Sequence, residues 1–169
     1  QMRKLFFLFI FLLFFCRYGY SENSRFYDSG QLTCNLMTTI CQDARGFVWI
    51  GTEYGLNKFD GVQFTQYLNK ENDATSLLGN IVRELFVDRD QRLWVGCSNG
   101  LQYYLPEKDV FCTVPFEENL TPSVAEIVQL QNGEIWLVAT GRGLFKVDRE
   151  NNKVVALGEI NKICGTQSI

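Results

Sequence analysis

Within Ile40-Cys41-Gln42-Asp43-Ala44-Arg45-Gly46-Phe47-Val48-Trp49-Ile50-Gly51-Thr52-Glu53-Tyr54-Gly55-Leu56-Asn57-Lys58-Phe59-Asp60 the chain spells out a pattern that it then repeats. The second copy is Leu85-Phe86-Val87-Asp88-Arg89-Asp90-Gln91-Arg92-Leu93-Trp94-Val95-Gly96-Cys97-Ser98-Asn99-Gly100-Leu101-Gln102-Tyr103-Tyr104-Leu105, with Trp94 45 residues after Trp49. A looser third copy runs from Ile127 to Asp148 around Trp136, 42 residues further on. A period of roughly 40–50 residues fits a four-stranded propeller blade or a helical HEAT/armadillo unit. The local pattern separates the two. Helices would need apolar periodicity over a dozen or more residues, and none is present. Short apolar runs broken by Gly, Asn or Asp read instead as strands, Val48–Thr52 and Leu93–Cys97 being β-branched and aromatic.

Four strands per unit follow from the turn residues. Ala44-Arg45-Gly46 and Gln131-Asn132-Gly133 make hairpin turns ahead of the Trp strand, with Gly supplying positive φ. Gly55-Leu56, Gly100-Leu101 and Gly143-Leu144 open the next strand, and Asp60-Gly61 ends it before Gln63-Phe64-Thr65-Gln66-Tyr67 alternates as an outer strand. The expected fold is all-β: a partial β-propeller of about three four-stranded antiparallel blades. In that fold each Trp packs between blades, and Gly51 and Gly96 let neighbouring sheets approach. Asp43 and Asp88, at strand-to-turn junctions, are placed to accept turn N–H groups. Val138 stands in the Gly place of the third unit and one residue is inserted before Gly143, so that blade should differ locally.

Ahead of the repeat, Met2-Arg3-Lys4 forms a positive n-region and Leu5 to Phe15 an apolar run of eleven residues. As a helix that run rises about 16 Å, roughly half of a bilayer's hydrocarbon thickness. It therefore reads as a signal peptide over 1–21, cleaved after Ser21, with 22–169 as the partial propeller. Cys16 could mark a lipoprotein, but Phe14-Phe15 before it lacks the small residues of a lipid-attachment box. Beyond Cys16, Cys34, Cys41, Cys97, Cys112 and Cys164 show no CxxC spacing and read as small, largely buried residues, with their disulfide status open.

Charge and composition exclude several functions. The net charge is −3 and no basic run follows Arg3-Lys4, which argues against nucleic acid as a partner. The chain has no His, and so lacks the usual general base, the commonest metal ligand and a phospho-accepting histidine. No catalytic, cofactor-binding or metal-binding residue is assigned. The paired carboxylates Glu117-Glu118 and Asp88 with Asp90 occupy turn and loop positions.

The repeated residues resemble the two-component regulator propeller repeat, whose pattern is apolar-x-x-Asp-x-x-Gly-x-Leu/Ile-Trp-Ile-Gly-Thr-x-x-Gly-Leu-x-x-Tyr/Phe-Asp. Ile40 to Asp60 follows it almost throughout. Leu85 to Leu105 follows it with Gln91 in the Gly place and Cys97 in the Thr place, and the third unit departs at Leu130, in the Asp place. The resemblance implies the periplasmic sensor of a hybrid two-component histidine kinase of Bacteroidetes, followed in such proteins by a β-sandwich, a membrane helix, the kinase and a receiver. It also implies an oligosaccharide or other small ligand, with the remainder of the propeller and the kinase, or a second copy of the chain, as protein partners. Propellers of the family close with about seven blades, so the chain is expected to be a fragment or the product of a truncated gene. Turns between second and third strands lie on the face of a propeller that commonly binds ligands. Glu53, Tyr54, Ser98, Asn99 and Arg142 are thereby the residues among which a ligand site is sought. An exported propeller enzyme, such as a lyase or glycoside-cleaving protein, and a non-signalling interaction module are the competing readings.

Overall fold

Alternating apolar residues between Gly, Asn and Asp turns give each unit short strands that pair in sequence order. The computed structural model describes residues 31–158; the proposed leader over 1–21, Cys16 and Cys164 lie outside them. The first unit comprises β1 (Met37–Gln42), β2 (Val48–Thr52), β3 (Gly55–Phe59) and β4 (Phe64–Tyr67). The second comprises β5 (Val82–Val87), β6 (Leu93–Cys97), β7 (Gly100–Leu105) and β8 (Val110–Val114). The third comprises β9 (Val124–Gln129), β10 (Ile135–Ala139), β11 (Gly143–Asp148) and β12 (Lys153–Ala156), after a 3-10 turn at Glu117–Asn119. Each unit is one antiparallel meander, β1-β2-β3-β4, β5-β6-β7-β8 and β9-β10-β11-β12. These are three propeller blades, and their inner strands β1, β5 and β9 lie side by side.

Register carries the repeat into space. Cys41 pairs Trp49, which pairs Lys58, so these three share one face of the first blade with Gly51 and Leu56. The opposite face carries Ile40 and Ile50, which pair each other, and the same positions in the second blade are Leu85 and Val95. Packing sets the Trp face of one blade against the aliphatic face of the next. One core cluster joins Trp49 and Leu56 to Leu85, Leu93, Val95, Tyr104 and Phe111 of the second blade. The other joins Trp94, Leu101 and Val114 to Ile127, Ile135, Leu137 and Phe145 of the third. Trp49 and Trp94 are fully enclosed, as inter-blade residues must be. Trp136 is only half-buried, a departure from the expectation for all three Trp residues, because no described blade covers its face. At the other end Ile40 is 68% exposed, whereas its counterpart Leu85, packed beneath the first blade, is 4% exposed.

The two glycines act as expected. A Cβ at Gly96 would meet Val124 Cγ1 at 2.9 Å and Val124 O at 3.2 Å. One at Gly51 would meet Thr39 Cγ2 at 2.6 Å and Val82 Cγ1 at 2.7 Å. Val82 and Val124 open the inner strands of the following blades, so each glycine sets the spacing of a blade pair. Gly96→Ala is expected to cost about 1–3 kcal/mol through overpacking, read as a fall in the urea midpoint. An unchanged midpoint would mean that the blades have room to part. Val138 occupies the same register place in the third blade, on the face that no described blade covers.

Candidate functional site

The site sought from sequence sits on the turns between second and third strands. Each turn is held by one repeated hydrogen bond to the segment leading into its own inner strand. Glu53 N donates to Leu36 O at 3.0 Å, Ser98 N to Ile81 O at 3.0 Å and Thr140 N to Ser123 O at 2.9 Å. All three turns therefore stand at the same end of their blades. The first is also tied forward, through Gly55 N to Asn80 O at 2.6 Å. Two residues make the turns of the first two blades and three make that of the third, where Ala139 pairs Gly143. That difference is the insertion visible in the sequence.

The five residues serve unequal ends. Tyr54 is exposed, at 55%, and its amide is held by Thr52 Oγ1 at 3.0 Å. Glu53 accepts from Arg83 Nη1 of the second blade at 2.6 Å, an exposed inter-blade ion pair of small energetic weight. Ser98 is half-buried and Arg142 exposed, the latter closing its turn through N–H to Ala139 O at 3.0 Å. Asn99 is the one of the five with a buried side-chain atom left without a partner. Its Nδ2 donates to Leu78 O at 3.0 Å, while its Oδ1 is buried without a partner. An acceptor left so costs on the order of 1–3 kcal/mol.

At the opposite end of the blades the sequence reading was incomplete. Asp43 Oδ1 does accept turn amides, from Arg45 N at 3.0 Å and Phe47 N at 3.1 Å. Its Oδ2 also accepts the indole Nε1 of Trp49 at 3.1 Å, and Asp88 takes Trp94 Nε1 at 2.9 Å. The third blade lacks that Asp, and Glu134, two residues before Trp136, accepts its Nε1 at 3.1 Å instead. The recurrence of Asp six residues before Trp in the first two units was the available signal. A second cluster had none. Lys58 Nζ lies 5.4–5.7 Å from the ring centroids of Phe47, Trp49, Tyr67 and Tyr104 and 3.7 Å from Asp109 Oδ1. Asp109 also accepts from Tyr67 Oη at 2.7 Å and from Tyr104 Oη. Burial, then the bond to Asp109, pushes the Tyr104 phenol up to about 12. The aromatic box is filled by the chain's own ammonium and fastens the first blade to the second.

Three of the four carboxylates considered for acid–base work are committed to the fold, and the fourth, Glu118, is exposed on the 3-10 turn. Asp88 is enclosed and bonded to Trp94, Asp90 pairs Arg149 Nη1 at 2.6 Å, and Glu117 pairs Lys153 at 2.7 Å. Among the described residues no group of three or more His, Cys, Asp or Glu could hold a metal ion. No helix among them is long and apolar enough to cross a membrane. The described cysteines Cys34, Cys41, Cys97 and Cys112 are free. Burial pushes the Cys97 thiol up to about 11, and burial with the nearby Asp43 and Glu84 pushes Cys41 up to about 12. These are not reactive thiolates.

Asp43 also makes stability depend on pH. Burial raises its carboxyl, but hydrogen bonds from Trp49, Arg45 and the Phe47 amide outweigh this and hold it below the ordinary range. A carboxyl depressed in the folded state contributes stability above its unfolded value of about 3.9, and that contribution is lost as pH falls through the folded value. Asp43→Asn is expected to flatten the acid limb of a stability–pH curve below about pH 4. An acid limb as steep as that of the parent chain would assign the proton uptake elsewhere.

The repeat register, the Trp–Asp bond and the glycine contacts recur from the first blade to the second. The two component regulator propeller model matches residues 31–54 and 76–99, each segment running through an inner strand and the Trp strand to the turn beyond. Those two stretches are similar to two-component regulator propeller repeats. The third blade lies outside both matched segments, yet Ile127 pairs Leu137 as Leu85 pairs Val95. Histidine kinase P4 of Formosa agariphila is 35% identical over 101 residues, which are 55% of this chain and 7% of that kinase. The extracellular domain of a hybrid two component system of B. thetaiotaomicron superimposes with a TM-score of 0.70 at 28% identity, over 78% of this chain and 20% of that one. A second extracellular domain, of a one component system of that organism, shares the fold at 22% identity with a TM-score of 0.61, over 73% of this chain and 18% of that one. The chain thus spans a fifth or less of each of these relatives.

Proposed function

We propose that this regulator propeller is part of the periplasmic sensor of a hybrid two-component histidine kinase, contributing to ligand sensing and carrying no kinase activity of its own. The observation that supports this most is the agreement of blade geometry with the extracellular domain of a hybrid two component system over 78% of the chain. Residues 1–21 act as the export signal, and the 22–169 region forms blades that pack with further blades of the full-length protein. Its ligand, a small molecule or oligosaccharide, meets the end carrying Glu53, Tyr54, Ser98, Asn99 and Arg142. Binding shifts the packing between blades, and the shift passes to a kinase beyond an inner-membrane helix. A second copy of the sensor is the natural dimer partner for such a kinase.

Reading the DNA downstream of codon 169 tests the assignment. The expected result is an open frame running through more Trp-centred repeats into a membrane helix and a kinase. A stop codon followed by unrelated genes would end the kinase-sensor reading.

A further inference from the structure

The chain holds two Asn-Gly pairs, and the fold treats them oppositely. Such pairs are prone to ring closure, because a glycine leaves its own amide nitrogen free to reach the preceding side-chain carbonyl. Asn99-Gly100, at the turn after β6, is packed shut. Asn99 Nδ2 donates to Leu78 O at 3.0 Å. A Cβ at Gly79 would meet Asn99 Oδ1 at 2.5 Å, and one at Gly100 would meet Leu78 Cδ2 at 2.7 Å. Asn132-Gly133 sits instead at the hairpin tip between β9 and β10. Asn132 is exposed there, and a Cβ at Gly133 would meet nothing within 4 Å.

At that tip the side chain of Asn132 is held ready for attack. Its Oδ1 accepts from Glu134 N at 3.1 Å, which draws electron density from Cγ and steadies an oxyanion forming on it. Gly133 N donates to Leu130 O at 3.0 Å. Ring closure waits on that turn bond, at an exposed tip where local opening costs little. Hydroxide then takes the Gly133 N–H proton, and the nitrogen bonds to Asn132 Cγ. The Cγ–Nδ2 bond breaks, and the leaving nitrogen takes a proton from water and departs as ammonia. A second water opens the succinimide at either carbonyl, leaving aspartate or isoaspartate. Water is the one co-reactant, and nothing is oxidised or reduced.

The product bears on the third blade. Glu134 Oε2 accepts both Asn132 Nδ2 and Trp136 Nε1, each at 3.1 Å, while Oε1 accepts Lys146 Nζ at 3.0 Å. These donors, Asn132 foremost and then Lys146 and Trp136, hold the Glu134 carboxyl below the ordinary range. Deamidation puts a second carboxylate where the Nδ2 donor stood, and like charges in contact repel. Glu134 then turns away and gives up the indole. We propose that Asn132 is a self-modifying site, whose conversion to aspartate and isoaspartate releases Trp136 from Glu134 on the face of the third blade. The inference stands apart from the sensor reading, since it needs neither ligand nor kinase.

The test is incubation of the full chain at neutral pH, native and in urea, followed by trypsin and mass spectrometry. Cleavage places Asn99 on peptide 93–108 and Asn132 on peptide 109–142. In the native chain the amide-to-acid mass shift should arise about tenfold faster at Asn132 than at Asn99, with ammonia released. In urea the two rates should converge, because both pairs are then unconstrained. An Asn132 that stays intact, an Asn99 that converts as fast, or a gap that survives in urea would each overturn the site. For the consequence, Asn132→Asp should shift the Trp136 indole N–H resonance in a ¹⁵N spectrum and leave that of Trp94 in place. An unmoved Trp136 resonance would refute the release of the indole.

Discussion

Trp94→Ala lowers the free energy of unfolding by about 3–5 kcal/mol, while Trp136→Ala lowers it by about 1 kcal/mol. The two residues occupy equivalent places in their strands, six residues after Asp88 and Leu130 respectively. They differ in what covers them. Trp94 is 1% exposed, enclosed between Tyr103 of its own blade and the aliphatic face of the third. Removing its indole leaves a cavity that two rigid sheets cannot close, because Gly96 already sets their spacing against Val124. Trp136 lies on the half-open face of the third blade, where truncation exposes little that was dry. Domains of this size hold about 5–15 kcal/mol in total, so Trp94→Ala approaches the limit of folding. Urea denaturation of both variants, followed by far-UV circular dichroism, measures the difference. Equal losses would refute the account of Trp94 as an inter-blade residue.

Asp88→Ala costs about 3 kcal/mol. Its carboxylate is wholly enclosed and collects three donors, Arg92 N at 2.9 Å, Trp94 Nε1 at 2.9 Å and Arg149 Nη2 at 3.1 Å. The guanidinium comes from the third blade, 61 residues away, and its other nitrogen reaches Asp90. Deleting the carboxylate strands an indole N–H inside the blade interface and removes a tie between blades. The corresponding loss at Asp43 is smaller, because its cationic partner Arg45 is local and half in solvent, free to rehydrate. A double-mutant cycle between Asp88→Ala and Arg149→Ala is expected to show coupling above 0.5 kcal/mol, roughly the threshold for residues in contact. Additive effects would show that Arg149 contributes nothing to the interface.

Much of this was legible along the chain. The spacing of Trp49, Trp94 and Trp136 marked the blades, and period-2 alternation between Gly, Asn and Asp turns marked the strands. Gly46, at φ +87°, and Gln91, at φ +62°, occupy the same hairpin position, so even the departure from Gly fell where the pattern allowed it. The end of the blades carrying Glu53, Tyr54, Ser98, Asn99 and Arg142 also followed from topology, since turns of one kind in a meander share an end. What Asn99 does there did not follow. Its partnerless Oδ1 depends on Leu78 taking the amide nitrogen, a contact across 21 residues.

The sequence by itself determined the β-class, the period, the four-strand unit and the glycines that bring sheets together, because all of these are local or repeat at a fixed interval. Tertiary structure alone decided which Trp is enclosed, which cation fills the aromatic box around Lys58, and that Arg149 reaches back to Asp88. It also decided that Gln102 of β7 ties down the β4–β5 loop through Leu78 and Ser76. Alternation assigns a side chain to one of two faces of a sheet. Only the packing of one blade on the next determines what that face meets, and at what distance.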